Sequence, residues 1–202
     1  MSRPSSARDE ILARIRASTP SASPTVPRGY RRNQGAGDVD LFAERVADYR
    51  ATVHRLEGAG IEVAAAITRI LTGRGLIRVV VPEGFPPDWH PDIEVVAEPV
   101  GVATLDEVGA VVTTVAIAVA ETGTVVLDAG PGMGPRRLSL VPDYHLAVVR
   151  SDQIVANVPE AIAALDPVRP LTWIGGPSAT SDIELDRVEG VHGPRTLDVL
   201  IV

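Results

Sequence analysis

Short continuous runs of apolar residues dominate the chain after residue 60 and predict its strands. They occupy residues 76–81, 93–96, 110–114, 124–128, 145–149, 171–174 and 197–201. Continuous runs, unlike alternating ones, are typical of strands covered on both faces, as in parallel sheets between helices. The pattern therefore predicts an α/β fold with a mainly parallel sheet flanked by helices.

Apolar residues at steps of three and four predict a long helix over residues 40–60. The pattern is carried by five residues, which are Phe42, Val46, Tyr49, Val53 and Leu56. Glycines at positions 58 and 60 are expected to end this helix. Shorter helices are predicted over residues 6–16, 64–71 and 158–165.

A segment rich in proline, serine, glycine and arginine follows the first predicted helix, over residues 18–37. Such a composition buries too little apolar surface to offset the entropy lost on ordering. We therefore expect two parts, a helix with a flexible linker over residues 1–37 and one domain over residues 38–202.

The charge of the chain is unevenly distributed. The net charge is −7 over 202 residues, but residues 1–37 hold seven arginines and two acids. The remainder holds twelve arginines and twenty-four acids. An acidic body disfavours nucleic acid as a partner, whereas the basic segment suits an acidic protein or the chain's own acidic surface.

Two residue types are missing. The sequence contains no cysteine, and all of its 19 basic residues are arginine. This excludes iron–sulfur ligation by cysteines of this chain, cysteine nucleophiles, Schiff-base lysines and a Walker-A lysine. No dinucleotide fingerprint and no metal-ligand spacing is present, so no cofactor is predicted.

The chain carries no sign of a membrane span or a secretory signal. The longest apolar stretches are well short of the ~20 residues that cross a bilayer. The N-terminal residues lack the apolar core of a signal peptide. The expected compartment is the cytoplasm.

The first candidate site is the turn Glu121-Thr122-Gly123-Thr124 between two apolar runs. Gly123 permits a tight turn with exposed amides, and Thr122 and Thr124 add hydroxyls, so the turn suits an anion or a carbonyl oxygen. Glu121 is a candidate general base or nucleophile if it is partly desolvated. The structural alternative is that its carboxylate bonds neighbouring amides and fixes the turn.

The second candidate follows the predicted strand over residues 171–174. Ser178 and Thr180 would lie at the carboxyl end of a strand, where open α/β sheets bind ligands. Ser181 and Glu184 fit a capping box, so part of this segment can instead begin a helix.

The third candidate pairs His192 with Arg195 in a loop held by two glycines and a proline. Arginine offers a bidentate fork to a carboxylate or phosphate, and histidine transfers protons near neutral pH. The alternative is a loop ion pair from Arg195 to one of four nearby acids, which are Asp182, Glu184, Asp186 and Glu189.

Other features are assigned to structure. Residues 130–136 resemble a glycine-rich phosphate loop, but two prolines remove amide donors, so a hairpin connection is predicted there. His54, on the predicted long helix, and His90, in a loop, are read as surface or packing residues. His145 begins a predicted strand and is either a ligand contact or a half-buried side chain.

Four motifs in series resemble the lactate-utilization protein C family of bacterial LUD-domain proteins. They are AETGT at residues 120–124, RLSLVPDYH at 137–145, GPSATSDIE at 176–184 and GVHGPR at 190–195. The resemblance covers residues 38–202. Ala179 departs from it, because the family often carries a cation at that position.

The resemblance implies a fold related to the sugar-phosphate isomerase and CoA-transferase superfamily. It also implies a role in oxidising L-lactate to pyruvate beside two partners. One is an iron–sulfur oxidoreductase subunit, and the other is an iron–sulfur LUD-domain protein.

Two functions are expected from these observations. The preferred one is a non-redox accessory subunit of an L-lactate utilization system. In it the three candidate sites converge and either hold a small anion or shape a surface that meets the partners; their residues are Thr122, Gly123, Thr124, Ser178, Thr180, His192 and Arg195, beside Glu121. The alternative is a self-sufficient acyl-transferase-like, CoA-transferase-like or sugar-phosphate-isomerase-like enzyme that uses Glu121. A third possibility is a scaffold whose motifs are only turns and caps.

Overall fold

The computed structural model describes residues 6–18, 27, 29, 35–57, 60–177, 179–180, 188–190 and 192–202, with only the backbone at 179–180 and 188–189. Ser178, a predicted ligand-binding residue, lies outside the described residues. The chain divides into a unit over residues 1–30 and a unit over residues 31–202. No helix within the described ranges is long and apolar enough to cross a membrane.

The first unit contains helix α1 (Ala7–Ser18), close to the predicted helix over residues 6–16. Ser6 caps it, because the backbone N–H of Asp9 donates to the Ser6 hydroxyl at 3.3 Å. The Ser6 hydroxyl in turn donates to the Asp9 carboxylate at 2.7 Å. This reciprocal pair satisfies polar groups that the first turn of a helix leaves open.

The second unit contains all the strands and the other five α-helices that the structure describes. In chain order they are α2 (Val39–Asp48), β1 (Thr52–Arg55), α3 (Ile61–Gly73), β2 (Arg78–Val81), β3 (Glu94–Ala97), α4 (Val102–Val108), β4 (Ala110–Thr114), β5 (Ile117–Val119), β6 (Thr124–Leu127), α5 (Arg137–Leu140), β7 (Tyr144–Val149), β8 (Ile154–Val155), α6 (Val158–Ala164), β9 (Thr172–Ile174), β10 (Ala179–Thr180), β11 (Val188–Glu189) and β12 (Thr196–Ile201).

Six strands form the central sheet, in the order β1-β12-β7-β4-β2-β3. Every neighbouring pair in this sheet is parallel. Helix α3 packs on one face, where Val63, Ile67 and Leu71 meet apolar residues of β2, β7 and β12. Helix α2 packs on the other face. The predicted α/β class with a mainly parallel, helix-flanked sheet is confirmed.

A second sheet of four strands, in the order β8-β5-β6-β9, lies on the α2 face. Strand β6 is antiparallel to both β5 and β9, so the runs at 124–128 and 171–174 do not belong to the parallel sheet. Ala118 and Val125 face the core shared with α2, whereas Val119 and Val126 pack with Ala161 of α6. Burial on both faces gives β5 and β6 the continuous pattern of a parallel sheet, whereas β9 is only partly buried.

The predicted long helix over residues 40–60 is wrong in its second half. Helix α2 ends at Asp48, Arg50 adopts a left-handed φ of 66°, and β1 then begins. Strand β1 pairs with β12, with Val53 opposite Val199. The spacing of the apolar residues fits both one long helix and a short helix followed by a strand. Strand β12 pairs with residues 52–55, and this pairing favours the strand.

His54 therefore lies on a strand, where it contacts a buried carboxylate on the α3 face of the sheet. Asp198 of β12 is fully buried, and its carboxylate lies 3.0 Å from His54 Nε2. Arg74, at the end of α3, donates to both of its oxygens, and the Tyr144 hydroxyl donates at 3.0 Å. This network satisfies the buried charge and ties α3 to three strands.

Candidate functional site

The turn Glu121–Thr124 connects β5 to β6 and packs against α2. Gly123 has a φ of 61°, and a Cβ there would lie 2.6 Å from the carbonyl carbon of Arg45. The hydroxyls of Thr122 and Thr124 are 2.8 Å apart. The Glu121 side chain is exposed, so it lacks the desolvation that general-base catalysis was expected to need.

The second candidate segment follows the carboxyl end of β9, as predicted, but β9 belongs to the second sheet, where it is antiparallel to β6, and the segment packs against Tyr49 just after α2. Gly176 has a φ of 82°, and a Cβ there would lie 2.5 Å from Cβ of Tyr49. Gly175 approaches the first candidate site, because a Cβ there would lie 3.9 Å from Oγ1 of Thr124. Thr180 is described only by its backbone, in β10, which pairs with β11.

Arg195 forms an ion pair of the kind considered as the alternative to ligand binding, with a different acid. Its Nε lies 3.5 Å from Oδ1 of Asp143, and both side chains are more than half exposed, at 65% and 62%. The aliphatic stem of Arg195 covers Gly190, where a Cβ would meet Arg195 Cγ at 2.5 Å.

His192 and the segment 175–177 do meet, in a cavity of about 260 Å³. We call it the histidine cavity. Its walls also include α5, β9 with Trp173, and the first residues of β7 and β12. Among the predicted site residues that the structure describes, His192 is the one whose side chain lines this cavity.

His145 adds a second imidazole to the histidine cavity. Its side chain is only 1% exposed, and its Nε2 lies 2.8 Å from the Thr113 hydroxyl. Its Nδ1 is buried, and no described residue offers it a hydrogen bond. Burial lowers the pKa of His145 to about 4, because charging the ring would require desolvation of a cation. His145 is therefore neutral near pH 7, with one ring nitrogen left for a ligand.

A larger cleft, of about 560 Å³, opens beyond the carboxyl ends of β2, β4 and β7. We call it the carboxyl-edge cleft. Its lining includes Trp89, Thr114, Asp128, Arg150 and Arg169. No local motif marks this site in the sequence, because its residues come from separate loops.

The glycine-rich segment over residues 128–136 forms one wall of this cleft. It leads from β6 to α5 and leaves the second sheet, so the predicted hairpin connection is wrong. The Gly132 N–H donates to the Glu83 carbonyl at 2.7 Å, and its carbonyl accepts from the Thr114 N–H at 2.8 Å. This loop therefore joins the ends of β2 and β4.

Asp128 and Arg169 form an ion pair within that wall. Arg169 Nη1 lies 2.9 Å from Asp128 Oδ2, and the carboxylate is 12% exposed against 40% for the guanidinium. The Gly130 N–H donates to Asp128 Oδ1 at 3.0 Å. A Cβ at Gly130 would lie 2.6 Å from Arg169 Nη2 and 2.8 Å from Asp128 Oδ1, so a larger residue there would displace the ends of both side chains. The sequence carries one sign of this ion pair, which is an acid followed by several glycines after a predicted strand.

Comparison with known proteins identifies relatives of this chain. The LUD domain family matches residues 103–202. Lactate utilization protein C of Deinococcus radiodurans is 43% identical over 195 residues, covering 93% of this chain and 90% of that protein. The protein of the same name from Bacillus subtilis is 36% identical over 119 residues, covering 54% of this chain and 47% of that protein.

A solved structure shares the fold. The crystal structure of a DUF162 family protein from Deinococcus radiodurans, at 1.70 Å resolution, matches with a TM-score of 0.68 and 39% identity. The match covers 81% of this chain and 95% of that chain. Because it is 43% identical to the lactate utilization protein C of Deinococcus radiodurans over 93% of its length, the chain belongs to the lactate utilization protein C family of LUD-domain proteins.

Proposed function

We propose that this chain is a non-redox accessory subunit of a bacterial L-lactate utilization system in the cytoplasm, and that its histidine cavity binds a small carboxylate. The observation that carries the ligand site is the buried Nδ1 of His145, which has no partner among the described residues. Buried polar atoms in native proteins are nearly always paired, so an unpaired one in a residue that lines a cavity favours a ligand.

The size and chemistry of the histidine cavity suit a molecule of a few heavy atoms. Its volume of about 260 Å³ is smaller than the ~300–1,000 Å³ of pockets that hold drug-sized ligands. The Thr113 hydroxyl can donate to Nε2 of His145, and Nδ1 then carries the ring proton and donates to a ligand oxygen. His192 lines the same cavity, and an imidazole is a group that can donate to a carboxylate.

The non-redox part of the proposal rests on composition. A chain without cysteine supplies no thiolate for an iron–sulfur cluster. Electrons from lactate would therefore pass to the iron–sulfur oxidoreductase subunit and the iron–sulfur LUD-domain protein proposed as partners. Kinship with the sugar-phosphate isomerase and CoA-transferase superfamily is part of the same proposal, supported by the all-parallel six-stranded sheet.

The two tryptophans of the chain allow the cavity to be tested by itself. Trp173 lines the histidine cavity and Trp89 lines the carboxyl-edge cleft. In a Trp89→Phe protein, Trp173 is the sole tryptophan, and titration with L-lactate or pyruvate should change its fluorescence saturably. His145→Gln should weaken this binding by about tenfold, the cost of one lost hydrogen bond to a charged group.

The matched control is His90→Gln, the same change at an exposed loop histidine. Its affinity should equal that of the parent. Glu121→Ala and Arg195→Ala decide the role of the two predicted residues that are exposed in the structure, and we expect both to retain binding within about twofold. Equal affinities in His145→Gln and the parent would remove the cavity from the proposal.

The role in lactate utilization is tested in cells. A strain that lacks this chain should fail to grow on L-lactate, and the parent gene should restore growth. Purified alone, the protein should not reduce a dye when L-lactate is added. Normal growth of the deletion strain, or dye reduction by the isolated chain, would contradict the accessory role.

A further inference from the structure

We propose that the carboxyl-edge cleft is a second ligand site, which binds an organic anion with a planar ring. It goes beyond the proposed function, because it lies elsewhere on the central sheet and requires a larger ligand than lactate. Its volume of about 560 Å³ is about twice the 260 Å³ of the histidine cavity.

The cleft occupies the position at which parallel α/β sheets bind ligands. Strand β2 is followed along the chain by its neighbour β3 on one side, whereas β4 is followed in the central sheet by β7 on the other side. The chain therefore leaves the carboxyl ends of β2 and β4 in opposite directions, which opens a crevice between them. Gly84, after β2, and Thr114, at the end of β4, both line the cleft.

The wall of the cleft contains one residue with a strained backbone and one glycine whose surroundings leave no room for a side chain. Ala129 has a φ of 57°, a region that residues with a side chain rarely adopt. Gly132 has a φ of 74°, and a Cβ there would lie 2.6 Å from Thr114 Oγ1. Strained backbone conformations of this kind are found mainly at ligand sites and switch regions. They persist only where the surrounding structure holds the residue in place.

The lining carries two guanidinium groups, of Arg150 and Arg169, and two carboxylates, of Asp128 and Asp166. Because these charges balance, an anion would be recognised by directed hydrogen bonds from the guanidinium groups and not by net charge. Arg169 contacts Asp128 through Nη1, and Arg150 donates through Nε to Asp152, at 3.0 Å. The terminal nitrogens of Arg150 have no hydrogen-bond partner among the described residues, so they remain donors for a carboxylate or phosphate.

The remaining lining sets the shape of the ligand. Ile117, Met133 and Leu165 provide apolar walls, and Trp89, which also packs against the core on the α3 side, is the aromatic residue of the lining. The Trp89 ring packs edge-on against Phe85, with ring centroids 6.2 Å apart, which fixes its orientation. A ring that stacks on Trp89 and an anionic group that reaches the guanidinium groups would use both parts of the cleft.

The test uses the full chain with Trp173→Phe, which leaves Trp89 as the sole tryptophan and as a reporter in the cleft. Four probes separate the features of the ligand. AMP has a ring and a phosphate, phenylpyruvate has a ring and a carboxylate, and inorganic phosphate and pyruvate have the anionic groups alone. We expect AMP or phenylpyruvate to quench Trp89 saturably, at least tenfold more tightly than either small anion.

Three variants test the assignment of residues. Arg150→Gln and Arg169→Gln should each weaken binding at least tenfold. Ala164→Phe fills the cleft from α6 without changing a charge, and it should abolish binding in a protein with the parent's circular dichroism spectrum. Arg195→Gln is the matched control, an exposed arginine elsewhere, and it should bind as the parent does.

Three results would overturn the site. They are no saturable quenching by either ring compound, equal affinity for ring compounds and small anions, and parent-like affinity in both Arg150→Gln and Ala164→Phe. The histidine cavity is read at Trp173 with L-lactate, in a different protein, so each proposal can fail while the other holds.

Discussion

His145 shows at the scale of one residue how burial changes what a side chain can do. A histidine in solution titrates near neutral pH, but this ring is inside the protein with one nitrogen on Thr113. The pKa near 4 keeps it uncharged, so it can donate or accept one hydrogen bond at Nδ1 but does not attract anions by charge. Recognition of a carboxylate then depends on hydrogen bonds more than on net charge.

The same burial predicts a pH dependence of stability. The unfolded chain takes up the His145 proton below its ordinary pKa of 6.5, whereas the folded protein resists it down to about 4. His145 therefore does not lower the free energy of unfolding above pH 6.5. As the pH drops from 6.5 toward 4, the free energy of unfolding falls by about 3 kcal/mol in total because of this group. His145→Gln should lose less stability than the parent between pH 7 and pH 4, by up to that amount, in urea unfolding.

The control for this measurement is again His90→Gln, whose stability should follow the parent at each pH. Other groups also titrate over this range, so only the difference between variant and parent is informative. Parallel pH profiles for His145→Gln and the parent would mean that the ring is charged in the folded protein.

At the scale of elements, the loop from β6 to α5 shows how a connection can form a site. It joins two sheets, contacts the ends of two strands through Gly132, and holds the Asp128–Arg169 pair against Gly130. The positions of its glycines follow from close contacts with neighbouring elements as well as from the turn itself. Substitution of these glycines should therefore lower the free energy of unfolding by more than the change in backbone preference alone.

Gly132 and Gly75 make a matched pair for testing this point. Their φ angles are 74° and 76°, but only Gly132 has an atom in the way of a Cβ, Thr114 Oγ1 at 2.6 Å. Gly75→Ala should cost about 1–2 kcal/mol of unfolding free energy, from the left-handed backbone alone. Gly132→Ala should cost about 1–3 kcal/mol more, from the added clash. Equal losses would mean that the loop moves away from Thr114 at no cost.

At the scale of the whole molecule, the two proposed sites lie near opposite ends of one strand. His145 is the second residue of β7, and Arg150 follows its last residue, so they are roughly 16 Å apart along the strand. Every residue of β7 is buried, and both of its neighbours pair with it in parallel. A strand held in this way has one arrangement, and coupling between sites requires an element with two.

Binding at the two sites should therefore be independent. Saturating AMP should change the affinity of the parent protein for L-lactate, measured by calorimetry, by less than about twofold. Sodium chloride at matched ionic strength is the control, because salt also screens charges. A shift of fivefold or more would show that the sheet transmits binding at one end to the other.

The sequence by itself determined the α/β class, most of the strands and the family. These follow from local properties of the sequence. A continuous apolar run forms a buried strand whichever strand it pairs with, and a family motif is a set of residues that are adjacent in the chain. The prediction of one helix over residues 40–60 was wrong in its second half. The spacing of the apolar residues fits one long helix and also a short helix followed by a strand, and the pairing of β1 with β12 decided for the strand.

Only the tertiary structure decided which side chains meet. It separated Glu121 and Arg195 from the histidine cavity, joined His192 to His145 there, and collected Arg150 and Arg169 at the carboxyl edge. Contacts of this kind depend on strand order and on which of two sheets a strand joins, and neither is encoded by residues adjacent in the chain. Burial follows from the same contacts, so the neutral His145 and the strained loop were visible only in three dimensions.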